Sequence, residues 1–149
     1  MLFIKILAVF AMSSAIGVLY RIPRSLLVYA SATGVAGWTL MYFVAQSGIS
    51  TIMANFLGSM AVGLVAELLA RILKKPATIF TVPGFIPLVP GREAYTTMRF
   101  MVEGQFNEGV AMGMLTLLTG GAIAFGIFVS STLYRILRMS TDYQVESRG

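Results

Sequence analysis

The sequence predicts an all-α integral membrane protein: a bundle of about five transmembrane helices, the fourth broken by prolines. Three observations carry this. Charged residues are only 11% of the 149 positions while apolar residues are 57%, and an ordinary soluble domain carries roughly 25% charge to cover its surface. The charges are segregated, which leaves runs long enough to cross a bilayer. Four of the five prolines fall in one short stretch, at Pro76, Pro83, Pro87 and Pro90.

The first span is expected over 2–20, where Lys5 is the only charge and can snorkel to the interface. From Ser25 to Ala66 there are 42 residues without a charge. One span needs roughly 20 apolar residues, so this run predicts two, over 26–45 and 49–70. The turn between them belongs at the polar, glycine-containing Gln46-Ser47-Gly48. The fourth span is expected over 77–101 and the fifth over 110–134, inside the charge-free run from Gly109 to Tyr134. A polar cytoplasmic tail is expected over 139–149.

Orientation follows from the basic residues in short loops. Arg21 and Arg24 follow the first span, Arg71, Lys74 and Lys75 the third, and Arg135, Arg138 and Arg148 the last. These are eight of the 11 basic residues, and alternation puts them all on the cytoplasmic side if the N-terminus is outside and the C-terminus inside. A re-entrant fourth segment would leave Arg135 and Arg138 outside, against the rule. A signal peptide places its positive charge before the apolar core. Here the strong pair comes after, so the first segment is expected to be a retained span. The same bias explains the pI of 9.9 without a nucleic-acid partner, since no basic stripe interleaved with aromatics is present.

There is no His and no Cys. This removes imidazole general bases, thiol nucleophiles and Cys/His metal sites. Asp142 is the sole aspartate and lies in the tail, and Glu67 has no second carboxylate near it in sequence. An enzyme is not expected, nor a metal or cofactor.

Lipid gives helices no hydrophobic drive to associate, so small residues must mediate close packing. Ala30, Ser31, Ala32, Gly34, Ala36 and Gly37 form one such patch, Ser59 and Gly63 a second, and Gly120, Gly121, Ala122, Ala124 and Gly126 a third. They predict packing within the chain or docking of a partner, including another copy of the chain. Asn55 and Ser59 are polar at membrane depth and share a face. Glu67 and Arg71 have the spacing of a helix-end ion pair. An intramembrane carboxylate also raises proton coupling, for which Glu67 and Glu93 are the candidates.

The proline segment carries the site prediction. Proline removes an amide donor and clashes with the carbonyl four residues back, so Pro83, Pro87 and Pro90, with Gly84 and Gly91 beside them, argue against a regular helix. Irregular backbone at membrane depth survives only where it is buried in protein or lines a wet cavity. A helix restarting after Pro90-Gly91 would aim free amides at the break, suited to a substrate carboxylate. Arg92, Tyr95 and Arg99 fall on one face of that helix, with Thr96 beside them. They could serve an anionic ligand, lipid phosphate, or pairing with Glu93 and Glu103. Such discontinuous helices mark substrate sites in many transporters.

The run TVPGFIPLVPGREAYTTM, and within it Ile86, Pro87, Pro90, Gly91 and Tyr95 after Lys75-Pro76, resembles the signature of the threonine/serine exporter family. More narrowly it resembles the small-subunit (C-terminal) membrane module. The resemblance extends loosely over the whole chain in length and span layout. It implies an inner-membrane secondary exporter of threonine, serine or a dicarboxylate such as succinate, acting with a larger membrane partner. Arg92 and Arg99 lie outside the shared motif, so their roles rest on the physical argument alone. The competing reading is a self-assembling channel or a membrane assembly factor without coupled transport.

Overall fold

The computed structural model describes the backbone of residues 2–146 and the side chains of residues 2–137. Among them the chain forms six α-helices and no strand: α1 (Leu2–Leu19), α2 (Arg24–Gln46), α3 (Thr51–Leu73), α4 (Thr78–Phe85), α5 (Gly91–Val102) and α6 (Phe106–Glu146), with a 3₁₀ turn at Ile86–Leu88 after α4. Four helices are long and apolar enough to cross a membrane: α1, α2, α3 and α6 over Phe106–Leu137. Each 23-residue helix, α2 and α3, is about 34 Å long, enough for a ~30 Å hydrocarbon core.

The segment expected as a fourth span over 77–101 is not one helix. It is the short α4, the 3₁₀ turn, an interruption at Val89-Pro90, and α5. Pro83 departs from expectation, because it lies inside α4. Only the carbonyl of Ile79 loses its helical donor there, and the helix ends two residues later. The last helix begins four residues before the expected 110. Its backbone stays helical through Glu146, so 139–146 continues α6. Residues 147–149, with Arg148, lie outside the described residues, as do the side chains of Arg138 and Asp142.

The loops follow ordinary cap chemistry. The expected turn between α2 and α3 uses Gly48 at φ +80°, a conformation that only glycine adopts freely. Ser50 then caps α3 by accepting from the Met53 amide at 3.4 Å. Lys74 ends α3 in the left-handed conformation, and the next amide, of Lys75, donates to the Ala70 carbonyl at 2.9 Å. Gly104, at φ +78°, turns α5 into α6.

Small residues set how the helices cross. A Cβ on Gly37 would lie 2.9 Å from the Gly58 carbonyl oxygen, and one on Gly58 would lie 2.9 Å from that of Gly37. The α2 and α3 backbones therefore touch, as small-residue packing requires. Gly126 of α6 sits against Ser59 and the Phe56 carbonyl, and Gly63 of α3 against Ser130. Gly34 meets Ser13 of α1, and Gly84 of α4 meets Val62 and Thr33. Gly120 and Gly121 were expected in such contacts, but nothing lies within 4 Å of a Cβ at either. They face away from α3, on the other side of the helix from Gly126.

Most buried hydroxyls are satisfied inside their own helices. Ser31, Thr33, Ser59, Thr119 and Ser130 donate to carbonyls three or four residues back. Ser14 and Ser31 also share a 2.7 Å hydrogen bond between α1 and α2. The Ser13 hydroxyl is buried with no partner.

These contacts fix directions. Ser59 meets Gly126 and Gly63 meets Ser130, so α3 and α6 run parallel. The stretch from α4 to α5 runs the other way along α6. Ala77 shares a cavity with Tyr134, Phe85 to Pro90 lie opposite Gly120 to Ile127, Thr97 is near Gly113, and Met101 is near Gly109. α4 packs on α2 and α3, whereas α5 packs on α6.

Candidate functional site: a polar cavity at the helix interruption

The interruption between α4 and α5 has a defined geometry. Val89 is extended at φ −60°, ψ 129°, and Pro90 at φ −76°, ψ 58° lets the Gly91 amide donate to the Val89 carbonyl at 2.8 Å. That is an inverse γ-turn. The first helical bond of α5 runs from the Ala94 amide to the Pro90 carbonyl at 3.0 Å. The Arg92 and Glu93 amides precede that bond and have no helical acceptor, and no side chain caps the helix. They form the positive end of the α5 dipole.

A cavity of about 290 Å³ opens beside this turn. Pro87, Leu88, Val89 and Pro90 form one wall and Glu93 the start of α5. Thr51 and Asn55 come from α3, Met41 from α2, and Leu115 and Thr119 from α6. Asn55 is 5% exposed and Thr119 3% exposed, so both are held in the packed interior. Asn55 donates through Nδ2 to the Thr51 carbonyl at 2.9 Å, which leaves its amide oxygen for another partner. Thr119 donates to the Leu115 carbonyl at 2.8 Å and keeps its lone pairs. The cavity therefore brings together one carboxylate, an amide oxygen, two threonines and a helix N-terminus on an otherwise apolar surface.

The residues singled out in the sequence divide into three groups. Pro87, Pro90 and Glu93 line the cavity. Pro83 and Gly84 are buried within α4, and Gly84 lets that helix approach Thr33 and Val62. Gly91, Arg92, Tyr95 and Arg99 are exposed and are not among the cavity walls. Thr96 turns its hydroxyl to the Arg92 carbonyl at 2.8 Å. Arg99 pairs with Glu103 at 2.7 Å, and Tyr95 shares a shallow groove with both. The Arg99 pair was one of the alternatives its spacing allowed. At its exposure such a pair contributes little.

Glu67 lies far from this cavity, twelve residues along α3 from Asn55, or about 18 Å. The ion pair expected between Glu67 and Arg71 does not form: among the described residues the one ion pair is Arg99–Glu103. Thr51 and Thr119 were missed because only tertiary packing brings them to the break. Asn55 carried a signal, an amide at membrane depth, but nothing in its own segment pointed to Pro87.

No solved structure matches the chain. Residues 5–133 match the family described as Threonine/Serine exporter, ThrE. The match takes in the interrupted segment, every wall of the cavity and most of the long helices. It is an exporter-type membrane protein, and the chain belongs to the threonine/serine exporter (ThrE) family.

Proposed function

We propose that this chain is the small membrane subunit of a two-component secondary exporter, and that the cavity beside Pro87–Pro90 holds the substrate. One observation carries the reading: a single cavity is lined by Glu93, which brings both a carboxylate and an uncapped amide at the start of α5. A free amino acid has the complementary pair. Its carboxylate suits the α5 amides, its ammonium suits Glu93, and a threonine or serine hydroxyl suits Asn55 or Thr119. A dicarboxylate such as succinate has no ammonium, so the Glu93 carboxylate disfavours it. As the carboxylate that would hold the ammonium, Glu93 is our candidate for coupling. Arg92, Tyr95 and Arg99 face elsewhere and are assigned to lipid or partner contact. No enzymatic step is proposed.

A layout of five crossings belongs to the same proposal. Since α3 and α6 run parallel, the chain between them must return once across the same depth, and the α4–α5 stretch follows α6 from Tyr134 to Gly109. We take it as a broken fifth span, with the N-terminus outside, the C-terminus inside, and the protein in the inner (plasma) membrane. The exposed Gly121, and the exposed face of α5, would meet the larger membrane partner.

The test is efflux of labelled threonine, serine and succinate from cells expressing this chain with a larger family member. Glu93→Gln is expected to lower threonine export about tenfold or more, the loss of one charge-assisted contact, while membrane insertion persists. Unchanged efflux on deleting the chain would refute the reading. Ion conductance from the purified chain alone would favour the self-assembled channel.

A further inference from the structure

A second polar cavity, of about 260 Å³, lies at the other end of the α3–α6 seam. Glu67, Ala70 and Arg71 of α3, Lys75 and Ala77 of the α3–α4 connection, and Tyr134 of α6 line it. The backbone builds this arrangement. The left-handed Lys74 folds the chain back, and the Lys75 amide returns to the Ala70 carbonyl at 2.9 Å, which carries Lys75 to the side of Arg71. Glu67 and Arg71 are one helical turn apart but do not pair. Both charges therefore remain available around the concavity, with a lysine and a phenol.

Between the two polar cavities the lining is apolar. A groove of about 230 Å³ is walled by Phe85, Val89 and Pro90 on one side and by Gly120, Ile123, Ala124 and Ile127 on the other. Along α6 the groove falls between the residues that line the two polar cavities, Leu115 and Thr119 on one side and Tyr134 on the other.

We propose that the Glu67–Tyr134 cavity is a second amino-acid subsite, the cytoplasmic entry point for the zwitterion that the outer cavity later holds. Arg71 and Lys75 take the α-carboxylate, Glu67 takes the ammonium, and the Tyr134 hydroxyl accepts or donates one further hydrogen bond. This assignment rests on the exporter reading and its orientation. An anionic lipid headgroup would be drawn by the two cations but repelled by Glu67, whereas a free amino acid satisfies both signs.

The experiment measures threonine efflux from cells at graded internal threonine concentrations, with the chain in its full assembly. Glu67→Gln keeps the shape and removes the charge. It is expected to raise the half-saturating internal threonine about tenfold, the loss of one charge-assisted contact, with Glu67→Asp restoring most of the difference. Tyr134→Phe is expected to raise it about threefold and provides a second reading if Glu67→Gln fails to insert. Succinate efflux should not weaken in Glu67→Gln, because succinate has no ammonium. Equal half-saturation in wild type, Glu67→Gln and Tyr134→Phe overturns the subsite and leaves the exporter reading standing. A third variant, Arg71→Gln, is expected to raise the half-saturating threonine too; a loss of efflux in it that follows anionic lipid content and not threonine concentration assigns the cavity to headgroups and also overturns the subsite. No threonine efflux from the unmodified protein overturns the exporter reading first, and this subsite with it.

Discussion

The seam between α3 and α6 and the groove between α4 and α6 share one helix and both carry small residues, yet the seam is closed and the groove open. On the seam side, Gly126 lies under the Phe56 carbonyl and the Met60 amide, so the backbones touch. On the groove side, a Cβ on Gly120 or on the neighbouring Gly121 would meet nothing within 4 Å, and open space follows the interrupted segment. A glycine pattern announces that something can come close. Only the three-dimensional neighbour says whether it already has.

That contrast can be broken deliberately. The largest effect is expected at Gly126→Leu, where even a Cβ would meet the Phe56 carbonyl oxygen at 2.6 Å. Overpacking against backbone should destabilise the bundle by about 3 kcal/mol, seen as a fall in unfolding temperature in detergent or loss of the folded monomer. Next in size is Pro87→Ala on the groove side. It restores an amide donor, extends α4 into the break, and should lower threonine efflux about tenfold at normal membrane abundance. Gly120→Ala and Gly121→Ala should be neutral or stabilising by about 0.5–1 kcal/mol, since alanine favours helix and nothing blocks it. If they instead abolish efflux without unfolding the chain, the groove face is occupied by a partner. Smallest is the pair Ser13→Ala and Ser14→Ala. Removing the partnerless Ser13 hydroxyl should stabilise slightly, because alanine lacks the cost of a buried donor without a partner. Removing Ser14, which bonds Ser31 across α1 and α2 at 2.7 Å, should destabilise by about 0.6 kcal/mol in a denaturant titration.

The same contrast explains what the sequence could and could not convey. Charge-free runs and the Gln46-Ser47-Gly48 turn are local properties, and the ends of α2 and α3 fall close to where they point. The proline cluster located the interruption, because a missing amide is a covalent fact. It overstated its extent, since α4 tolerates Pro83 with a single lost bond. The direction in which α5 faces was not legible. Arg92, Tyr95 and Arg99 share a face by spacing, but spacing does not say whether that face meets α6 or its surroundings. Glu93 and Thr97 take the α6 side instead, and the arginines take the exposed side. Thr51, Asn55 and Thr119 stand 26 to 42 positions from Pro87 and Glu93 in the chain, and no local pattern encodes contacts at that range.

The habit of the buried hydroxyls has a mechanical consequence. Ser59, Thr119 and Ser130 spend their protons on their own helices, and Thr81 of α4 does the same toward Ala77 at 2.9 Å. Few directional bonds therefore rivet one helix to the next. A sliding or tilting α4 would exchange one set of van der Waals contacts for another of similar size, without first tearing a hydrogen bond in a medium that offers no replacement. The bundle is close-packed but weakly latched, with smooth surfaces for relative motion. The Ser14–Ser31 bond, far from α6, ties α1 to α2 as the more rigid frame against which the other helices can shift.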